Sequence, residues 1–236
     1  MNLHDIEIPL GRLVAEHPHL IRTLEGLGLD YCCGGHRPLS QAVAEKGLDL
    51  EEVLAALKQA LASTQDACAA PWLEKTCSEL IDHIVRSHHG FLRTELPRLS
   101  TLTDKVFEVH GSGTPELGEL RRVMAGFREE IESHLAKEEQ ILFPAIVACE
   151  ARGAAMPQGA GVLARGPISC MESEHDEAGA ALAEMRRLTG DYSPPEAACG
   201  SWRALYLGLE ELEQDMHRHI HEENNILFER VRAAGW

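Results

Sequence analysis

Two phrases decide the fold: HLAKEEQILF at residues 134–143 and HIHEENNILF at residues 219–228. Both fit the pattern H-x-x-x-E-x-x-I-L-F, and they lie 85 residues apart. A helix brings positions i and i+4 onto one face, so His134 with Glu138, and His219 with Glu223, point the same way. The Ile-Leu-Phe that follows each pair is expected to continue inward as core.

Working outward, the spacing of apolar residues predicts four long helices at about 72–99, 116–149, 167–189 and 196–232. Thr114-Pro115-Glu116 and Ser193-Pro194-Pro195-Glu196 are helix-start signals. A Gly-rich stretch at 153–166 separates the second helix from the third. Such a pattern predicts an all-α fold, an antiparallel four-helix bundle.

The first and third helices should supply matching ligands. The third offers His175, and the first offers His83, His88 and His89. His175 precedes His219 by 44 residues and His89 precedes His134 by 45, whereas His88 is offset by 46 and His83 by 51. The expected ligands are therefore His89, His134, Glu138, His175, His219 and Glu223, with His88 the weaker candidate for the first position. Four imidazoles and two carboxylates exceed one zinc site. They suit two iron or manganese ions bridged by the glutamates and by an oxo or hydroxo group, with about one open position per metal. Glu139, Glu150 and Glu222 are expected to be solvated, as helical glutamates usually are.

Upstream, Leu10, Leu13, Val14, Leu20, Ile21, Leu24 and Leu27 recur at helical spacing, with Pro18 at a helix start or kink. Another helix follows Asp49, and residues 63–71 look like a linker. The division is a small helical domain at 1–65 and the bundle at 72–236. The small domain is too short for a robust core, so it either docks on the bundle or forms a homodimer with a second copy. Its loop DYCCGGH, residues 30–36, holds Cys32 and Cys33 beside His36. Two thiolates there would serve as a redox or metal relay, and the competing reading is a turn that merely packs.

Composition narrows the classes. The formal charge is −16, with 38 acidic residues against 22 basic, which argues against nucleic acid as a partner. Nothing approaches a membrane span, and the charged first residues do not resemble a leader. Seven cysteines without a Cys-x-x-Cys spacing suit a reduced, cytoplasmic protein.

The chain resembles the RIC family, the repair-of-iron-centres or ScdA-type di-iron proteins. DYCCGG at 30–35, HLAKEEQILFP at 134–144, GPISCMESEHDEAG at 166–179 and HIHEENNILF at 219–228 carry the likeness. It implies a haemerythrin-like bundle after an ScdA-type N-terminal domain, and the same six ligands for two non-haem iron ions. It further implies repair of iron–sulfur proteins damaged by nitrosative or oxidative stress, through iron donation and NO chemistry, with the paired cysteines tied to function. The family's extra histidine corresponds to His110. One departure is Arg86-Ser-His88-His89-Gly90, where members often carry an aromatic before the ligand. Competing functions are an enzyme that reduces NO at the metal pair and a sensor that binds O₂ or NO.

Overall fold

The structure is a computed structural model that describes residues 6–63, 72–153 and 162–236. The chain is helical, and among the described residues no strand forms beyond a single antiparallel bridge between Pro9 and Pro38. The N-terminal part contains α1 (Leu10–Glu16), a 3₁₀ turn (Pro18–Leu20), α2 (Ile21–Gly26), α3 (Leu39–Glu45) and α4 (Leu50–Ser63). Pro18 opens its turn, where a missing N–H costs nothing. Of the expected linker, residues 64–71 lie outside the described residues, as do residues 154–161 of the Gly-rich stretch.

Four long helices form the bundle. The first, α5, covers residues 77–110: Cys77–Ile84 runs through a π turn at Val85–His89 into Gly90–His110. Next, α6 covers residues 116–152, with its π turn at Glu138–Leu142. A short α7 (Val162–Arg165) precedes α8 (Pro167–Leu188). Last, α9 covers residues 200–233, with a π turn at Glu223–Leu227. In sequence order α5 packs on α6, α6 on α8, and α9 closes against α5 and α8.

Two expectations about the helices are corrected. The first was placed at 72–99, ending soon after Pro97, yet α5 runs to His110. An interior proline costs about 3 kcal/mol, but Leu92, Leu96, Leu99, Thr103 and Val106 are all buried and hold the helix past it. The last helix was expected from 196 and begins at Gly200. At its start α5 is fixed by a reciprocal cap, in which Glu79 N donates to Thr76 Oγ1 and Thr76 N donates to Glu79 Oε2.

The N-terminal helices dock on the bundle. Leu13, Leu24, Tyr31 and Leu57 share one apolar cluster with Leu96, Leu182, Leu209 and Ile220. A second cluster, with Leu80, Ile84, Phe143, Ile146, Leu227 and Phe228, fills the other end. The Ile-Leu-Phe expectation needs one correction: Ile141 is 65 % exposed while Leu142 and Phe143 stay buried, whereas Ile226, its counterpart in the matching turn of α9, is buried in a cluster that includes Ala15 of the N-terminal part.

Candidate metal centre

In the two H-x-x-x-E pairs each histidine stands in the last α-helical turn of α6 or α9 and each glutamate opens the π turn that follows, and His175 stands in α8. His89 closes the π turn of α5. All six expected ligands are buried, each 3 % exposed or less. They fall into two groups of four whose ligating atoms lie within 4.8 Å of one another. One is His89, Glu138, His219 and Glu223; the other is His134, Glu138, His175 and Glu223.

Glu138 and Glu223 belong to both groups, one oxygen to each. Glu138 Oε2 faces His89 Nε2 at 3.4 Å and Oε1 faces His134 Nε2 at 3.3 Å. Glu223 Oε1 faces His219 Nε2 at 3.0 Å and Oε2 faces His175 Nε2 at 3.1 Å. The Nε2 atoms also approach in pairs, His89 to His219 at 3.2 Å and His134 to His175 at 3.1 Å.

The opposite ring nitrogens explain why Nε2 is the presented atom. His89 Nδ1 bonds Glu139 Oε1 at 2.7 Å, His134 Nδ1 bonds Glu174 Oε2 at 2.8 Å, and His175 Nδ1 donates to Asn224 Oδ1 at 2.8 Å. A proton held at Nδ1 leaves Nε2 with a lone pair for a metal. Arg93 and Lys137 anchor Glu139 and Glu174 in turn, each at 2.5 Å.

Both Glu138 oxygens and Glu223 Oε2 lack a hydrogen-bond partner although they are fully buried. Burial and the Glu223 charge push the Glu138 carboxyl up, but His134 and His89 outweigh them and hold it below the usual range. Burial raises Glu223 too, yet His219 and His175 keep it well below that range. Burial would lower the His134 imidazole, and Glu138, Glu223 and Glu174 instead lift it to about 9. Two buried, ionised carboxylates with three of their four oxygens lacking a hydrogen bond are costly unless cations neutralise them. The donor set therefore fits metal ions.

Sequence reasoning did not find the partners at Nδ1. Glu139 was expected in solvent and is instead half-buried against His89. Glu150, expected likewise, accepts from the N–H groups of Cys77 and Ser78 at 2.6 and 2.9 Å. Glu222, the third such expectation, sits half-buried beside His83 and His88. His88 itself is buried but belongs to neither group of four. His110 is at the far end of α5, with its Nε2 3.3 Å from Cys199 Sγ and its ring against Trp202.

The cysteine loop lies over α8. Asp30 shapes it, accepting from Cys32 N at 3.1 Å and Gly34 N at 2.9 Å. Cys32 and Cys33 are unbonded, with sulfurs 3.9 Å apart. The Cys33 thiol reaches the His175 carbonyl oxygen at 3.5 Å. The carboxylate gathered with the two sulfurs is Asp30, whereas His36 is exposed. The bond to Cys33, burial and the nearby Asp30 carboxylate push the Cys32 thiol well above its ordinary range. The pair is flanked by two clefts of about 850 and 830 Å³.

Among known proteins, residues 80–231 match the family described as the Hemerythrin HHE cation binding domain. Residues 6–61 match ScdA_N, a domain of unknown function (DUF542). Over 226 residues the chain is 40 % identical to the iron-sulfur cluster repair protein YtfE of Escherichia coli O8 (strain IAI1), spanning 96 % of this chain and 97 % of that protein. A protein of the same name from Shigella boydii serotype 4 (strain Sb227) is 39 % identical over the same shares.

Proposed function

Since the chain belongs to the hemerythrin HHE cation-binding family, we propose that it is an iron–sulfur cluster repair protein built around a non-haem iron centre. We infer that two iron ions occupy the bundle, held by His89, His134, Glu138, His175, His219 and Glu223 and joined by an oxo or hydroxo bridge. The observation that carries this reading is that each of the two buried groups of four donors uses one oxygen of Glu138 and one of Glu223.

When bound, iron would supply Lewis acidity, one-electron chemistry and, if released, the metal that a damaged cluster lacks. The chain's own residues do the rest. Glu139, Glu174 and Asn224 hold protons at Nδ1 and so aim the ligating nitrogens. Four protein donors per ion leave positions for NO or O₂ as small ligands. The proposal assigns Cys32 and Cys33 a relay role toward damaged iron–sulfur proteins, supported by the Cys33 thiol lying against the backbone of His175.

We place the protein in the cytoplasm. Six described cysteines are unpaired, and among the described residues no helix is long and apolar enough to cross a membrane. The small N-terminal domain at 1–65 and the bundle at 72–236 remain the working division, and a homodimer through the former would add to the docked arrangement.

The test is iron content and Mössbauer spectroscopy on anaerobically purified protein, beside a His175→Ala/His219→Ala variant. Two coupled irons in the parent, lost in the variant, together with reactivation of an NO-treated iron–sulfur enzyme by the parent alone, are expected. Equal reactivation by both proteins would sink the reading.

A further inference from the structure

Outside the two groups of four and the cysteine loop, another set of ligating atoms converges. His83 Nε2 lies 3.5 Å and His88 Nε2 3.6 Å from the same oxygen, Glu222 Oε2, and all three atoms lie within 4.8 Å of one another. We propose that His83, His88 and Glu222 form a separate site for one divalent transition-metal ion, reached from the surface and adjoining the buried pair.

Local geometry creates this set. Residues five apart on a regular α-helix point about 140° away from each other. The π turn at Val85–His89 closes i to i+5, and it brings His83 and His88 toward one face. Glu222 is supplied by α9, one residue before that helix enters its own π turn.

Each imidazole is held by its other nitrogen. His88 Nδ1 bonds Asp215 Oδ1 at 3.0 Å, and His83 Nδ1 meets Ser87 Oγ at 3.2 Å. Both Nε2 atoms are thereby turned toward the Glu222 oxygen. His88 is 5 % exposed, and neither its Nε2 nor Glu222 Oε2 has a hydrogen-bond partner. A carboxylate oxygen held without a hydrogen bond is stabilised by a cation placed between it and the two imidazoles.

The spacing favours an ion over a shared hydrogen bond. At 3.5–3.6 Å the gaps exceed the usual N–H···O range of about 2.7–3.2 Å. Two donors about 2.0–2.1 Å from one tetrahedral ion would lie about 3.4 Å apart, close to what is seen. Two imidazoles and a carboxylate, with remaining positions for water, suit Fe(II) or Zn(II).

Access runs through His83, which packs under Trp72 with ring centroids 4.2 Å apart. Both residues line an open surface cleft of about 450 Å³. On the inner side the His88 ring stacks on that of His219, with centroids 5.3 Å apart and planes 6° from parallel. An ion held here stands between solvent and the deeper donors, in the position of a loading port.

The experiment uses the full chain with its buried pair already filled with iron, titrated anaerobically with Co(II) and followed by visible d–d absorption and metal analysis. One additional Co(II) per chain is expected in the parent. His83→Gln and Glu222→Gln should each bind it at least tenfold more weakly while keeping their iron and their melting temperature. Two variants are used because Glu222→Gln preserves shape if His83→Gln disturbs folding. Equal Co(II) binding by parent and both variants, or no additional Co(II) in the parent, overturns the proposal. Failure of the buried-pair reading shows separately, as iron retained by His175→Ala/His219→Ala.

Discussion

Asn225 Nδ2 donates to the Cys32 carbonyl oxygen at 2.9 Å, tying the cysteine loop to the turn that begins at Glu223. It also reaches the Tyr31 carbonyl oxygen at 3.3 Å. Gly11 and Gly35 make room for this side chain, since a Cβ at either would collide with Asn225. Asn224, one residue earlier, orients His175. Consecutive asparagines thus serve the buried site and its cover.

Replacing Asn225 with Ala should cost about 1–3 kcal/mol, as expected for leaving buried carbonyls unpaired. Hydrogen exchange across residues 31–35 should rise while iron content stays unchanged. Unaltered exchange would show that the loop is held by its apolar contacts alone.

Glu139→Ala, Glu174→Ala and Asn224→Ala each remove a partner from a ligating imidazole. Losses of about 10–100-fold in metal affinity are expected from such changes. Competition against a chromophoric chelator measures them, and parent-like affinity in all three would remove the orienting role.

Metal loading should release protons. In the ion-free protein His134 is raised from 6.5 to about 9, so its proton is present at pH 7 and must leave when a metal binds. The sign for stability follows: the ion-free chain gains from this group below pH 6.5 and loses that gain as pH rises through about 9. Anaerobic Fe(II) addition in weak buffer should release at least one proton per chain at pH 7 and progressively fewer above pH 9. Constant release across that range would contradict the assignment.

Cys33 should react before Cys32. Cys32 is buried, with its thiol pushed well above the ordinary range, while Cys33 is partly exposed. Brief iodoacetamide treatment at pH 8, read by peptide mass spectrometry, should label Cys33 in the parent and in Cys32→Ser, leaving Cys33→Ser nearly unlabelled at this loop. Comparable labelling of both sulfurs would contradict this order.

Glu150 holds the first turn of α5 from a neighbouring helix. Burial raises its carboxyl, but bonds from the Ser78 hydroxyl and the Ser78 and Cys77 N–H groups outweigh this and set it below the usual range. The resulting stability is present above the unfolded carboxyl range and fades as pH falls through the lowered value. Glu150→Gln should cost about 1 kcal/mol, by analogy with lost caps. The difference in melting temperature from the parent should shrink in acid.

The ligands were legible because a phrase occurs twice, and repetition survives without any knowledge of neighbours. His89 required only a matching offset. Glu139, Glu174 and Asn224 were not legible, because each meets a histidine about 40 to 50 residues away in sequence. The convergence of His83 with His88 depends on a π turn, which leaves no mark in an i, i+3, i+4 pattern, and the exposure of Ile141 depends on what covers each repeat. Helix α5 outran its expected end because buried Leu99, Thr103 and Val106 outweigh Pro97.

The three described π turns have a consequence for the phase of their helices. One wide turn takes up about one residue more than an α turn, so the helix resumes beyond it in nearly its former phase. Deleting a single codon from 139–142 would leave the apolar seams of Leu135 and Ile146 facing inward and His134 and Glu138 on one face, so the change falls on the turn itself, which holds the Glu139 that orients His89. Three of the four bundle helices carry such a turn at the level of the ligands, and α8, which supplies His175, carries none.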